Sequence, residues 1–175
     1  MSDATDGAPT GDPVDAVRLT HIDEHGDARM VDVSGKPVTL REGRARAFVA
    51  CSAPIMRALA DDTVPKGDAL AVARIAGIAA AKRTPELLPL AHPIRLDHVQ
   101  VRLEMAEDGV AITTVVRAVD RTGVEMEALT AATVAALALV DMVKGVDRGV
   151  ALVRAEVTFK SGGRSGTWTR PRPAG

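Results

Sequence analysis

Asp141 and Lys144 form an acidic and basic pair that could carry out acid–base chemistry. They are three residues apart in "DMVK", directly after the apolar stretch "AATVAALALV". Residues at this spacing share one face of a helix. We expect the apolar run to desolvate Asp141 and raise its pKa, while Lys144 lowers it. Opposed groups of this kind suit proton transfer, although an ordinary solvated ion pair explains the same pattern.

Two glutamates in "TGVEMEALT" are the next candidates. Thr122 and Glu125 fit a capping box at the start of a helix, whereas Glu127 has no such explanation. If this segment is extended, Glu125 and Glu127 lie on one face, and if it is helical they diverge. Carboxylates in a first helical turn also favour the helix dipole. Structural and binding roles therefore both remain open.

Two lysines lie beside glycines and could bind phosphate. The stretch "KSGGRSG" contains Lys160 and Arg164, and "PKGDAL" contains Lys66. Glycine-rich backbone can approach a phosphate closely, and a helix N-terminus favours anions. The spacing does not match a P-loop. A flexible tail at Lys160 and an exposed loop at Lys66 fit the same residues.

The histidine of "LLPLAHPI" is presented by a constrained loop. Pro93 restricts His92 to an extended conformation. A site residue and a hydrogen-bonded core histidine both fit this setting. His21 and His25 have a spacing that suits a metal on a helix, but "THIDEHGD" is typical of a loop and offers no third ligand, so we reject a zinc site.

Hydrophobic periodicity predicts the elements that must position these residues. Alternation of Ala45, Ala47 and Val49 indicates a strand. Two helices follow. The second has Asp68 as a possible N-cap, and the prolines of "TPELLPLAHP" end this second helix. A hairpin begins at "HVQVRLEM", a long apolar helix ends near Gly149, and "VRAEVTF" is a last strand. This order predicts an α+β, ferredoxin-like fold, with a four-stranded antiparallel sheet and helices on one face.

The composition favours one globular domain. Hydrophobic residues make up 46%, aromatic residues 2%, and the formal net charge is −1. The core must therefore be built from small aliphatic side chains. The chain as a whole is not expected to bind polyanions, so any attraction for phosphate must be local. Cys51 is the single cysteine, which excludes an internal disulfide. With no signal peptide or membrane span evident, we expect a cytoplasmic protein that binds neither nucleic acid nor membrane. We expect a disordered extension at 1–17, a domain at 18–166 and a flexible tail at 167–175.

Long stretches of the chain resemble one enzyme family, the cyclic pyranopterin monophosphate synthases of molybdenum cofactor biosynthesis. The resemblance covers residues 18–166 and lies in "LTHIDEHGDARMVDVSGK", "KGDALAVARIAGIAAAKRTPELLPLAHPI", "TGVEMEALTAATVAALALVDMVK" and "KSGGRSG". It implies a ferredoxin-like homohexamer, a trimer of dimers, with sites near subunit interfaces. It also implies a lyase that converts a 3′,8-cyclised GTP derivative into cyclic pyranopterin monophosphate and pyrophosphate. No cofactor is implied, although magnesium could accompany the triphosphate.

The resemblance assigns roles to individual residues. It implies that Asp141 and Lys144 are catalytic. The implied substrate-binding residues are Leu90, Ala91, His92, Glu125, Met126, Glu127, Lys66, Lys160 and Arg41. Two positions depart from the family pattern: Ala91 stands where many members have cysteine, and Arg164 replaces a second lysine, which keeps the charge but changes its geometry.

Two alternatives to an active enzyme remain. One is a binding or scaffold subunit without activity, which Ala91 supports, and the other is a structural oligomer. The proposed cations lie far apart along the chain, at 41, 66 and 160, so we expect one site to use residues of two subunits. Mixing Lys66→Ala with Asp141→Asn chains is the test that follows from the sequence.

Overall fold

The computed structural model describes Ile22 and residues 25–171. The chain divides into two units, Met1–Val31 and Asp32–Gly175. In the described part of the first unit, Ile22 and Ala28 form an isolated antiparallel bridge. The extension expected at 1–17 lies outside the described residues. All elements named below belong to the second unit.

The second unit has five strands and four helices in its described part. In chain order they are β1 (Thr39–Ala50), α1 (Ala53–Ala60), α2 (Ala69–Ala81), α3 (Thr84–Leu87), β2 (His98–Ala106), β3 (Gly109–Asp120), α4 (Glu125–Val143), β4 (Ala151–Ser161) and β5 (Trp168–Thr169).

The strands form one antiparallel sheet in the order β2-β3-β1-β4-β5. The four long strands confirm the predicted ferredoxin-like arrangement. The short fifth strand was not predicted. It places Trp168 opposite Lys160, so the segment expected to be a flexible tail is hydrogen-bonded to the sheet edge at this point.

The helices cover one face of the sheet, as the alternation in β1 predicts. Ala45, Ala47 and Val49 are at most 3% exposed and face the helices. Helix α4 packs on β1, β3 and β4, and α2 packs on α4. The two helices approach closely because Gly77 has no side chain: a Cβ there would lie 2.7 Å from the carbonyl oxygen of Ala131. The predicted small-residue core is confirmed.

Both ends of α4 differ from the sequence prediction. Val124 is the N-cap and makes no side-chain cap bond, so the capping box of Thr122 and Glu125 is wrong. The helix ends at Val143 instead of near Gly149. Asp68 is confirmed as the N-cap of α2, since its Oδ1 accepts the backbone N–H of Ala71 at 2.9 Å.

Helix α4 is long and apolar enough, by length and composition, to cross a membrane. Nine of its residues are nevertheless buried in the core, among them Ala128, Ala132 and Leu139, which are fully buried. We therefore interpret α4 as the central core helix of this fold.

Candidate active site

Asp141 lies between two lysines at the C-terminal end of α4. Its Oδ2 accepts a hydrogen bond from Lys66 Nζ at 2.7 Å, and its Oδ1 pairs with Lys144 Nζ at 2.7 Å. Lys66, in the loop before α2, also donates to the backbone carbonyl of Asp141 at 2.8 Å. The negative end of the helix dipole attracts a lysine that donates to a carbonyl of the last turn.

The two lysines determine the protonation state of Asp141. Hydrogen bonds from Lys144 and then Lys66 lower the pKa of Asp141 to about 2. Its side chain is 57% exposed, so the expected desolvation is wrong. The apolar run before it packs mainly against the core, although Leu137 is exposed, while Asp141 points to solvent at the end of the helix. Two ammonium groups on one carboxylate leave a net positive charge that attracts an anion.

A basic cavity of about 330 Å³ lies at the opposite end of α4. It is bounded by the 35–37 loop, the start of β1, the 121–125 turn and the 160–165 loop. Its cationic lining residues are Lys36, Arg41, Arg121, Lys160 and Arg164. Among the described lining residues one carboxylate, Glu125, opposes them. The cavity therefore suits a polyanion such as a phosphate chain.

Sequence reasoning missed Lys36 and Arg121. The available signal was the position of Arg121, directly before "TGVEME", together with Lys36 in the "VSGK" part of a stretch that resembles the family. In the structure the Nε of Arg121 donates to the carbonyl of Lys36 at 3.2 Å. This bond ties the two basic segments together at the cavity edge.

Glu125 and Glu127 diverge because the segment is already helical. Glu125 lines the cavity, and its carboxylate occupies the space that a Cβ would need at Gly123. Glu127 is only 3% exposed. Burial raises the pKa of Glu127 to about 7, its own backbone N–H opposes that rise, and the charges of Glu125 and Asp120 add to it. Glu127 can therefore exchange a proton near neutral pH.

The stretch that contains Leu90, Ala91 and His92 lies in the loop between α3 and β2. Leu90 is 36% exposed, and Ala91 and His92 are half-buried. The loop returns to the sheet at Asp97, whose Oδ2 accepts the backbone N–H of Val119 at 2.9 Å. His92 is thus on a loop, as its proline neighbours predict, and is outside the buried core.

The candidate residues fall into two groups that are far apart. Asp141 follows Glu125 by 16 residues on α4, which is about 24 Å along a helix. The structure joins Lys66 to Asp141 and Lys144 at one end, and Arg41 to Glu125 and Lys160 at the other. Because Lys66 and Asp141 are in the same group, mixing those two variants cannot report on a site shared between subunits. The choice of these two variants as a test of a shared site is therefore wrong.

No candidate metal site was found in the described part of the chain, where no three His, Cys, Asp or Glu side chains cluster. His25 belongs to that part, whereas His21 lies outside it. Cys51 is a free, half-buried thiol, and burial together with the charge of Asp108 raises its pKa. A thiol with a raised pKa is a poor nucleophile.

The chain is similar to proteins of one known family. A family model described as the MoaC family matches residues 30–163. A protein of Streptomyces coelicolor, named cyclic pyranopterin monophosphate synthase, is 56% identical over 170 residues, 95% of this chain and 99% of its own. Cyclic pyranopterin monophosphate synthase 1 of Mycobacterium tuberculosis (strain H37Rv) is 53% identical and covers 89% of this chain and 92% of its own. A protein of Geotalea uraniireducens, also named cyclic pyranopterin monophosphate synthase, is 51% identical and covers 87% of this chain and 96% of its own.

Proposed function

This chain belongs to the MoaC family, which makes it a lyase of molybdenum cofactor biosynthesis, and we propose that it converts the 3′,8-cyclised GTP derivative into cyclic pyranopterin monophosphate and pyrophosphate. The observation that carries the mechanism is the contact of Asp141 with Lys66 and Lys144, both at 2.7 Å. This arrangement holds a base and two acids together without any further group.

The substrate itself activates Asp141 in this mechanism. In the free chain the lysines keep the carboxylate ionised and weakly basic. When phosphate oxygens of the substrate bind Lys66 and Lys144, those ammonium groups leave the carboxylate, and its pKa rises toward the ordinary range. Asp141 then accepts a proton during ring rearrangement, and Lys144 donates one or stabilises the developing charge.

The basic cavity binds the phosphates that do not contact Lys66 and Lys144 in this proposal. Lys160 and the other solvent-accessible cations of the cavity neutralise the phosphates, and Arg41 adds a buried positive charge behind them. Glu125 accepts an N–H of the purine-derived ring. Glu127, with a pKa of about 7, either accepts or donates a hydrogen bond. Met126, which is 41% exposed, and the loop with Leu90, Ala91 and His92 complete the substrate-binding surface. Ala91 leaves no thiol at that point of the surface.

A complete site needs two subunits, because α4 lies between the cavity and Asp141. We expect a homohexamer in which the cavity of one subunit faces the Asp141 group of another. Exposed apolar side chains support self-association: Leu40, Val119 and Val153 on the sheet are 62%, 57% and 59% exposed. We further expect a cytoplasmic enzyme without a resident cofactor, with magnesium as an optional partner of the triphosphate.

The direct test is product formation. The purified protein is given the cyclised nucleotide, the mixture is oxidised, and the fluorescent pterin derived from the cyclic phosphate is measured. Asp141→Asn should abolish the signal, while Glu104→Gln, an exposed carboxylate on β2, should leave it unchanged. Binding of the nucleotide without turnover in the unmodified protein would instead favour a non-catalytic binding subunit.

Mixed oligomers test the shared site. Lys160→Ala removes a cavity residue and Asp141→Asn removes the acid–base group, so mixing the two chains should restore up to about a quarter of full activity if subunits redistribute randomly. Lys66→Ala mixed with Asp141→Asn is the matched control and should restore none, since both residues belong to one group. Equal recovery in both mixtures, or none in either, would contradict a site built from two subunits.

A further inference from the structure

Arg41 differs from the other cations of the cavity because it is buried. Only 7% of the residue is exposed. Its Nε donates to the carbonyl of Asp120 at 3.1 Å, and its Nη2 donates to the carbonyl of Arg121 at 3.0 Å. These carbonyls belong to the end of β3 and to the turn that leads into α4. A guanidinium that gives two donors to backbone carbonyls is held in one orientation.

The other side of the same guanidinium faces the 160–165 loop, the glycine loop, which contains Gly162 and Gly163. Gly162 and Gly163 have positive φ angles of +93° and +71°. A Cβ at Gly163 would overlap the Arg41 side chain, and the three nearest atoms are the Nη1, Cζ and Nη2 of Arg41. A Cβ at Gly162 would collide with the carbonyl of Leu40. The loop can follow this path only because it lacks side chains where it crosses Arg41.

The glycine loop carries one wall of the cavity. Lys160 precedes the two glycines and is hydrogen-bonded to Ser165, beyond them. Arg164 lies between these residues and also lines the cavity. The opposite wall carries Arg121, whose carbonyl is bound by Arg41. Arg41 therefore contacts the backbone of both walls.

We infer that Arg41 is a positioning residue that sets the separation between the Arg121 wall and the glycine loop, and that Gly163 is required at its position to admit the Arg41 guanidinium. This inference rests on the proposed function, since it concerns how the cavity fits the phosphates of the substrate. A lysine cannot replace Arg41, because an ammonium group lacks the planar fork that reaches both carbonyls.

Gly163→Ala and Gly166→Ala form a matched pair that tests the inference. Both glycines have positive φ, +71° and +63°, but nothing lies within 4 Å of a Cβ at Gly166. The two substitutions thus impose similar backbone strain, and the first alone displaces Arg41. We expect Gly163→Ala to raise the KM for the cyclised nucleotide about tenfold or more, since small misplacements of binding groups are costly. Because the glycine loop binds substrate and holds no acid–base group of the proposed mechanism, kcat should change less than KM. Gly166→Ala should alter KM less than about threefold.

A double-mutant cycle covers the case in which Gly163→Ala folds poorly. Without the guanidinium the added methyl group at Gly163 no longer displaces a side chain, and only the strain of the positive φ remains. In an Arg41→Ala background, Gly163→Ala should therefore change Tm and KM no more than Gly166→Ala does in the unmodified protein. Arg41→Lys should resemble Arg41→Ala in KM. Equal KM values for Gly163→Ala and Gly166→Ala, or additive effects of Gly163→Ala and Arg41→Ala, would overturn the inference. Failure of the unmodified protein to form product would refute the proposed function. The Tm values of the double-mutant cycle would still show whether the Arg41 guanidinium and Gly163 are in contact.

Discussion

Replacing Glu127 with glutamine should stabilise the protein in a strongly pH-dependent way. Glu127 is 3% exposed, and burial raises its pKa from the ordinary value of 4.5 to about 7. The difference of about 2.5 pH units corresponds to about 3 kcal/mol, at 1.36 kcal/mol per unit. Glutamine fills the same space and never ionises, so the variant avoids this cost.

The sign of the effect follows from proton binding. Between pH 4.5 and 7 the unfolded chain has released the Glu127 proton while the native protein still holds it, so the free energy of unfolding falls as pH rises. Above pH 7 both states are ionised and the loss is complete. Relative to the unmodified protein, Glu127→Gln should gain about 3 kcal/mol at pH 8 and about 1 kcal/mol at pH 5.

Urea denaturation at pH 5 and pH 8 measures these free energies. Protein concentration is kept constant, because the stability of an oligomer depends on it. Glu104→Gln, on the exposed side of β2, is the control and should change stability equally at the two pH values. If Glu127→Gln gives the same change at both, or destabilises the protein at pH 8, burial of an ionisable carboxyl does not govern this site.

Two further substitutions test how α4 is held in place. Thr114→Val removes a buried hydroxyl that donates to the carbonyl of Ala128 at 2.8 Å, and it should lower the free energy of unfolding by about 1 kcal/mol in urea titrations; no loss would mean that this bond does not hold the helix. Gly77→Ala should lower Tm and cost about 1–3 kcal/mol by overpacking. In an open helix the same change would add about 1 kcal/mol of stability, so a rise in Tm would contradict the close approach to Ala131.

The strands were predictable because their burial follows a local alternation. Ala45, Ala47 and Val49 alternate with polar or larger neighbours, and this pattern depends only on which face meets the helices. The end of α4 was not predictable for a related reason. After the helix ends, Val146 packs against the hydrophobic core and Val150 lies in it, so the apolar pattern continues through a turn. In this segment the apolar pattern indicates that residues are buried, but it does not indicate that they are helical.

Of the two lysine contacts of Asp141, only one could be predicted from the sequence. Lys144 lies three residues from Asp141, so their contact follows from helix geometry. Lys66 is 75 residues away from Asp141 in sequence, and only the antiparallel packing of α2 on α4 brings the loop before α2 to the end of α4. The exposure of Asp141 likewise depends on where the helix stops. Sequence spacing identifies such residues as candidates but cannot show which ones meet.

The placement of charge along α4 has only a partial structural explanation. The helix dipole favours carboxylates in the first turn and lysines near the last, each by about 0.3–1 kcal/mol. Glu125, beside the cavity, and Lys66, on a terminal carbonyl, fit that explanation. Glu127 does not, because its burial costs about 3 kcal/mol above pH 7, more than the dipole returns. A side chain that opposes folding by this amount is expected where binding or catalysis requires it. Glu127→Gln should therefore be more stable and less active at pH 8, and loss of activity with gain of stability would distinguish a functional carboxylate from a structural one.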